Sequence, residues 1–154
     1  MLKPLLLSAS ALVALVVAVL GAAELLHWRY RRLRRARRAD TAAAFAAHFR
    51  ADAVSDEVAL AVRAYFAQVT GLADFPVRPS DDLLGTYNLA TEDVQDAVAV
   101  IASEVECAPP RALPRDEWRT VHTVADLVGV VHRLRRAVEV GQAAARGRAA
   151  ARAG

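Results

Sequence analysis

The pattern of apolar and polar residues begins with one long apolar run. From position 4 to position 26 it reads PLLLSASALVALVVAVLGAAELL, with Glu24 as its one charged residue. A helix rises about 1.5 Å per residue, so about 20 apolar residues are enough to cross the hydrocarbon core of a bilayer. Residues 1–26 are therefore predicted to form a transmembrane anchor.

Aromatic and basic residues follow this run at once. Two amphipathic rings stand where headgroups are expected, and seven arginines lie between positions 29 and 38, whereas only Lys3 and the terminal amine precede the run. This asymmetry predicts a single-pass protein of the inner membrane with its carboxyl-terminal part in the cytoplasm. We expect seven residues to contact anionic lipids: Trp28, Arg29, Tyr30, Arg31, Arg32, Arg34 and Arg35.

A cleaved signal peptide is the competing interpretation of the same run. Small residues at positions 21–23 (Gly-Ala-Ala) suit a signal peptidase. The arginines that follow would resist translocation, which favours the anchor. Whether the segment is cleaved stays open from the sequence.

Residues 27–54 are predicted to be an Arg-rich helical stalk. The stretch 40–54 (DTAAAFAAHFRADAV) is rich in alanine and lacks Gly and Pro. A continuous helix over 27–53 would lift the next domain by about 40 Å. Phe45 and Phe49, at i,i+4 spacing, are expected to pack against that domain or against a second copy.

Three longer helical patterns occupy residues 55–140. The first is expected over 55–70, between Ser55 as N-cap and Gly71 as the closing residue. The second begins at Thr91, expected to be its N-cap, and the third at Thr123, with Asp126 completing a variant capping box. Each carries apolar residues at helical spacing, and no segment alternates like a strand.

Shorter features complete the predicted domain. A loop over 71–90 is expected to be packed through its apolar residues (Leu72, Phe75, Val77, Leu83, Leu84 and Leu89), and a short helical turn is expected over 114–118. The Ala/Arg-rich tail over 141–154 is expected to fray or to contact lipid. The fold class is all-α.

Three short motifs in this arrangement resemble the acyl carrier protein family. They are VRPSDDLLG at 77–85, LATEDVQDAV at 89–98 and TVADLV at 123–128, within a resemblance that covers residues 58–134, about half of the chain. The resemblance implies a four-helix bundle with a long first loop and an acidic second helix. The chain looks closest to bacterial acyl-carrier-like proteins that lack the carrier's serine.

The position of that serine differs in this chain. A carrier attaches phosphopantetheine to a serine at the start of its second helix. Alignment of the helical stripes places Thr91 there, and alignment on the Leu-Gly pair places Asn88 there. Since neither is serine, we expect no cofactor, with Thr91 and Asn88 as weak candidates. The alternative is a membrane-tethered carrier for lipid or polyketide chemistry, loaded on Thr91 or Ser80.

Charge is segregated along the chain. Residues 40–139 carry sixteen acids against nine arginines, so the basic pI of 9.6 belongs to the two flanks and no nucleic-acid partner is expected. Seven acids and no base lie between positions 81 and 106: Asp81, Asp82, Glu92, Asp93, Asp96, Glu104 and Glu106. The simplest interpretation is a solvated face. The resemblance implies a docking surface for a basic partner protein, formed by Glu92, Asp93 and Asp96.

Other chemistry has little support in the sequence. The four histidines lie in separate elements, and the single cysteine, Cys107, allows neither an internal disulfide nor a Cys-based zinc site. No metal site and no catalytic residue are expected. The sequence thus favours a membrane-anchored, non-catalytic interaction module, compatible with a lipid-binding adaptor, whose oligomeric state it leaves open.

Overall fold

A computed structural model describes residues 3–107 and 118–153, and within these ranges the chain is helical without any strand. Its α-helices are α1 (Lys3–Ala36), α2 (Ala42–Phe49), α3 (Asp56–Thr70), α4 (Leu83–Tyr87), α5 (Thr91–Glu104) and α6 (Val124–Ala153), with one 3-10 turn at Arg50–Asp52. The chain forms two compact units, residues 1–38 and 39–154. The predicted all-α class is confirmed.

The first unit is one long helix, α1. Its segment Ala11–Ala36 is long and apolar enough to cross a membrane. Signal sequences share these properties. The structure therefore confirms a helix long enough to span a membrane, which either an anchor or a signal sequence would form.

The predicted continuous stalk over 27–53 is wrong. Helix α1 ends at Ala36, and α2 begins only at Ala42, after Thr41 as its N-cap. The Thr41 hydroxyl accepts a hydrogen bond from the Ala44 N–H at 3.1 Å, which favours a new helix start over a continued helix. The segment over 27–53 is therefore interrupted, and residues from 39 onward belong to the second unit.

Helix α2 packs on α3 within the second unit. The rings of Phe45 and Phe49 are both buried, in edge-to-face contact with 5.2 Å between their centroids. The predicted packing role of these two phenylalanines is confirmed. A bidentate ion pair between Arg50 and Asp56 lies at the junction of the two helices.

Helix α3 has the predicted ends. The Ser55 hydroxyl accepts from the Val58 N–H at 3.3 Å, and Gly71 closes the helix in a left-handed conformation with φ of 66°. The helix contacts α5 and α6, which also contact each other. Their apolar stripes form the core, with these residues buried: Val58, Val62, Phe66, Val94, Ala97, Val98, Ile101, Val105, Val124, Leu127, Val128 and Val131.

The segment between α3 and α5 is packed and contains the short helix α4. Phe75, Val77 and Leu83 are buried as predicted, whereas Leu84 is 62% exposed because it lies on the outer side of α4. The Tyr87 ring, at the end of α4, lies 4.1 Å from Phe66 between ring centroids. This contact joins the segment to the core.

Helix α6 extends much further than the predicted domain end at residue 140. It continues to Ala153, in keeping with the strong helix propensity of Ala and Arg. All side chains over 141–148 are exposed. The short helical turn predicted over 114–118 lies outside the described residues, except for Trp118, which is buried.

Candidate docking face

The segment before α4 is held in place by a buried carboxylate. Asp81 is 4% exposed, and its Oδ2 accepts hydrogen bonds from the Tyr87 hydroxyl at 2.8 Å and from the Arg78 N–H at 2.9 Å. The interpretation of Asp81 as part of a solvated acidic face is therefore wrong. Its carboxylate supplies acceptors inside the fold, where an unsatisfied donor would be costly.

Backbone hydrogen bonds join this segment to the start of α6. The Leu83 N–H donates to His122 O at 2.8 Å, the Val124 N–H to Asp81 O at 3.0 Å and the Ala125 N–H to Pro79 O at 2.9 Å. These bonds fix the chain that leads into α5 relative to the last helix.

The start of α6 has the predicted reciprocal capping box. The Asp126 N–H donates to Thr123 Oγ1 at 3.2 Å, and the Thr123 N–H donates to Asp126 Oδ2 at 2.9 Å. The prediction for Thr123 and Asp126 is confirmed. The capping box stabilises the first turn of α6, to which the 78–83 segment is hydrogen-bonded.

A tight corner leads from α4 to α5. Asp82 caps α4 by accepting a hydrogen bond from the Gly85 N–H. A Cβ at position 85 would lie 2.9 Å from Asp82 Oδ1, so a side chain there would displace the capping carboxylate. Asn88 ends α4 in a left-handed conformation with φ of 58°. Asn88 is therefore a helix C-cap before the corner and does not lie at the start of α5.

The first turn of α5 differs from the prediction. The N-cap is Ala90 rather than Thr91, and Asp93 Oδ2 accepts a hydrogen bond from the Ala90 N–H at 2.8 Å. Because the Asp93 carboxylate accepts the Ala90 N–H from within the helix, the residue at the cap position needs no hydrogen-bonding side chain. Thr91 is the first helical residue, exposed, and its hydroxyl makes no hydrogen bond among the described residues.

The structure brings Glu92, Asp93 and Asp96 together at the exposed start of α5. Val100 and Glu104 continue the solvent side of the helix. Burial raises the pKa of the half-buried Tyr65 phenol on α3, and the nearby carboxylates of Asp93 and Asp96 raise it further. Tyr65 therefore borders this acidic face from α3.

A positive charge lies at the carboxyl end of α5. The Arg135 guanidinium donates to Val105 O and also pairs with Glu57 at 3.4 Å and Glu139 at 3.1 Å. Acids at the amino end and a cation at the carboxyl end both match the helix dipole. The sequence signal for Arg135 was its i,i+4 spacing to Glu139, which predicts a pair on α6 but not the contact with α5.

Most of the predicted lipid-contacting residues are exposed on α1. Trp28 is 59% exposed, with the Arg32 guanidinium 5.7 Å from its ring centroid, and Arg29, Arg31, Arg34 and Arg35 are exposed as well. Tyr30 lies on the same helix.

Metal-binding and nucleophilic groups are dispersed. Within residues 3–107 and 118–153, no group of three or more His, Cys, Asp or Glu side chains is positioned to hold a metal ion. Burial raises the pKa of the Cys107 thiol against the lowering effect of the nearby Arg135, so the reactive thiolate is disfavoured. His48 packs edge-on against Phe49.

Comparison of the chain with protein-family models, with curated proteins and with solved structures found no match.

Proposed function

We propose that this chain is a membrane-anchored, non-catalytic interaction module, which presents the acidic start of α5 to a basic partner protein in the cytoplasm. One observation carries the proposal. Glu92 and Asp96 are exposed beside Asp93, and neither makes a hydrogen bond or ion pair among the described residues. Asp81 and Asp82 nearby, in contrast, accept hydrogen bonds that hold the segment around α4.

An acyl-carrier-like plan for the second unit is part of this proposal. Support comes from the order of its elements: a first long helix, a packed segment that ends in a short helix, a second helix with an exposed acidic start and a last helix opened by a capping box. The contacts among α3, α5 and α6 are compatible with that plan.

Anchoring in the inner membrane rests on α1 and its arginines. We propose that one set of residues contacts anionic lipids at the cytoplasmic surface: Trp28, Arg29, Tyr30, Arg31, Arg32, Arg34 and Arg35. A reporter fused after Gly154 is expected to be active in the cytoplasm, because positive flanks are retained on that side. Reporter activity in the periplasm, or a purified chain that begins at Glu24, would contradict the anchor.

The docking role is tested by reversing the two charges that accept no hydrogen bond within the described residues. We expect the double variant Glu92→Lys/Asp96→Lys to lose a basic protein that wild type captures from detergent-solubilised membranes. Asp93 is left intact because its carboxylate accepts from the Ala90 N–H. The capture should weaken with salt, since exposed charges are screened over about 10 Å at 0.1 M.

The matched control is Asp52→Lys, which reverses an exposed carboxylate on the 3-10 turn. This variant should capture the same proteins as wild type. If the α5 variant and wild type capture equal amounts of every protein, the face is only solvated and the proposal fails.

One observation favours a second function, that of a phosphopantetheine carrier. The Thr91 hydroxyl is exposed and unused at the first position of α5. The leading proposal predicts an unchanged intact mass after co-expression with a broad-specificity phosphopantetheinyl transferase, because no serine stands there. An added pantetheine arm that disappears in Thr91→Ala would support the carrier instead.

A further inference from the structure

Helices α3 and α5 pack side by side and run antiparallel. They contact each other directly. The Arg135 guanidinium pairs with Glu57 in the first turn of α3 at 3.4 Å and donates to the carbonyl of Val105, the C-cap of α5. One side chain can reach both groups only if the start of α3 lies beside the end of α5. The end of α3 therefore lies beside the start of α5.

Tyr65 marks the surface line along which these two helices meet. Its half-buried phenol on α3 lies near the carboxylates of Asp93 and Asp96 on α5. Val69 follows Tyr65 by four residues, and Val100 follows Asp96 by four, so each valine shares a helix face with the residue before it. We name Tyr65, Val69, Asp96 and Val100 the α3–α5 seam.

Both valines of the seam are exposed. Val69 is 37% exposed and Val100 is 44% exposed. Because the helices are antiparallel, Val69 lies one turn beyond Tyr65 in one direction, and Val100 lies one or two turns beyond the acids in the other. With a rise of about 1.5 Å per residue, the two valines stand roughly 12–16 Å apart, with the Tyr65 ring between them. The seam therefore presents an apolar strip of three side chains.

Negative charge borders this strip on its α5 side. Glu92, Asp93 and Asp96 are exposed there, and α5 contains no Lys or Arg. The single base of α3 is Arg63, two residues before Tyr65. At 3.6 residues per turn this base lies about 160° around the helix from Tyr65, away from the seam. The seam therefore combines an apolar strip with an acidic border.

We propose that the α3–α5 seam binds one amphipathic, basic helix of the partner protein. The inference rests on the proposed function and specifies which element of the partner binds. Apolar side chains on successive turns of that helix would cover Val69, Tyr65 and Val100, and Lys or Arg beside them would pair with Glu92 and Asp96.

The surroundings of the seam favour a helix over an extended segment of the partner. Both sides of the seam are helices, whose backbone groups are hydrogen-bonded along the helix axis, so a partner strand would find no sheet edge to extend. A helix needs no backbone donors from its partner and binds through side chains at i, i+4 and i+7 or i+8. This spacing fits the length of the apolar strip.

Peptide binding to the full chain in a neutral detergent tests the proposal. The probe is a fluorescent helical peptide of about 15 residues, with leucines at i, i+4 and i+8 and lysines beside them. A shuffled peptide of the same composition, whose leucines do not share a face, is the reference. Binding of either peptide to detergent is common to all variants, so the result lies in the difference between variants measured by fluorescence anisotropy.

Val69→Ser and Leu60→Ser form a matched pair. Both remove an exposed apolar side chain from α3, at 37% and 41% exposure, but nine residues separate them, so Leu60 lies on the opposite side of the helix. Val69→Ser and Val100→Ser should each raise the dissociation constant of the amphipathic peptide about threefold or more, because apolar area covered by the peptide is lost. Leu60→Ser should leave it unchanged, and the shuffled peptide should not distinguish the variants. Circular dichroism checks that every variant keeps its helices.

The outcomes separate this inference from the proposed function. If wild type does not bind the amphipathic peptide, or if Val69→Ser and Val100→Ser bind it as Leu60→Ser does, the inference is overturned. Loss of a captured protein in Glu92→Lys/Asp96→Lys would then still support the proposed function. A photo-crosslinked adduct at Val100 with twice the chain mass would show that a second copy covers the seam, which also overturns the inference. If the charge reversal changes neither peptide binding nor any capture, the proposed function fails as well.

Discussion

Asp81 and Asp96 belong to the same base-free stretch of the chain, fifteen residues apart, yet the fold treats them in opposite ways. Asp81 is buried and accepts hydrogen bonds from Tyr87 and from the Arg78 backbone. Asp96 is exposed on α5 and accepts none among the described residues. The Asp81 carboxylate holds the segment before α4 in place, whereas the acids at the start of α5 are exposed to solvent.

The contrast follows from what surrounds each carboxylate. A buried carboxylate is retained only where donors replace its hydration, and the close packing of Tyr87 on Phe66 brings such a donor to Asp81. An exposed carboxylate keeps its water and contributes little to stability. The two groups should therefore respond differently to substitution.

The largest effect is expected at Asp81. Asp81→Ala leaves the Tyr87 hydroxyl and the Arg78 N–H without an acceptor, so the free energy of unfolding should fall by about 2–4 kcal/mol. Denaturation of the full chain in detergent, followed by circular dichroism, measures the change. Asp81→Asn keeps one acceptor oxygen and should cost less. A decrease in the free energy of unfolding of less than about 0.5 kcal/mol for Asp81→Ala would contradict the structural role of this carboxylate.

A smaller effect, with a pH dependence, is expected at the capping box of α6. Burial raises the pKa of Asp126, but hydrogen bonds from Thr123 and His122 outweigh it, and the net pKa is lowered. The carboxylate therefore stabilises the fold above its unfolded pKa of about 3.9, and this contribution is lost as pH falls through the lower folded value.

Substitution of the capping box should show that pH dependence. Thr123→Ala should cost about 1 kcal/mol at neutral pH. Asp126→Asn should be less stable than wild type at pH 7, and the difference should shrink below pH of about 4. The midpoints of thermal unfolding across this range provide the measurement. A difference that grows on acidification would contradict the assigned hydrogen bonds.

The smallest effect on stability is expected at Asp96. Asp96→Lys should change the free energy of unfolding by less than about 0.5 kcal/mol, as should the control Asp52→Lys. Both variants can be compared with wild type in the same denaturation experiment. A clearly larger decrease in the free energy of unfolding for Asp96→Lys would show that its carboxylate stabilises the fold, as that of Asp81 does.

The sequence predicted the elements best where one local signal decides them. Ser55, Gly71 and the Thr123–Asp126 pair fix helix ends through bonds within a few residues, and the apolar stripes of α3, α5 and α6 are buried as expected. The break before α2 was missed although Thr41 is a good N-cap, because an alanine-rich stretch favours a continued helix.

The details of the site depend on contacts between distant residues. The burial of Asp81 requires Tyr87 and the start of α6, and spacing along the chain does not indicate that contact. The first turn of α5 was predicted with Thr91 as its N-cap because threonine suits that position. In the structure the Asp93 carboxylate accepts a hydrogen bond from the Ala90 N–H in place of a side-chain cap. The position of this acid three residues after Ala90 was the sequence signal for the true N-cap.

Site-specific photo-crosslinking in cells tests the docking face most directly. A photo-reactive phenylalanine analogue at Val100, in the full chain, should form an adduct with a basic protein. The adduct should disappear in the Glu92→Lys/Asp96→Lys background. The same analogue at Leu60 on α3 should not form it. Equal adducts from both positions, or an adduct at Val100 that survives the charge reversal, would contradict the account.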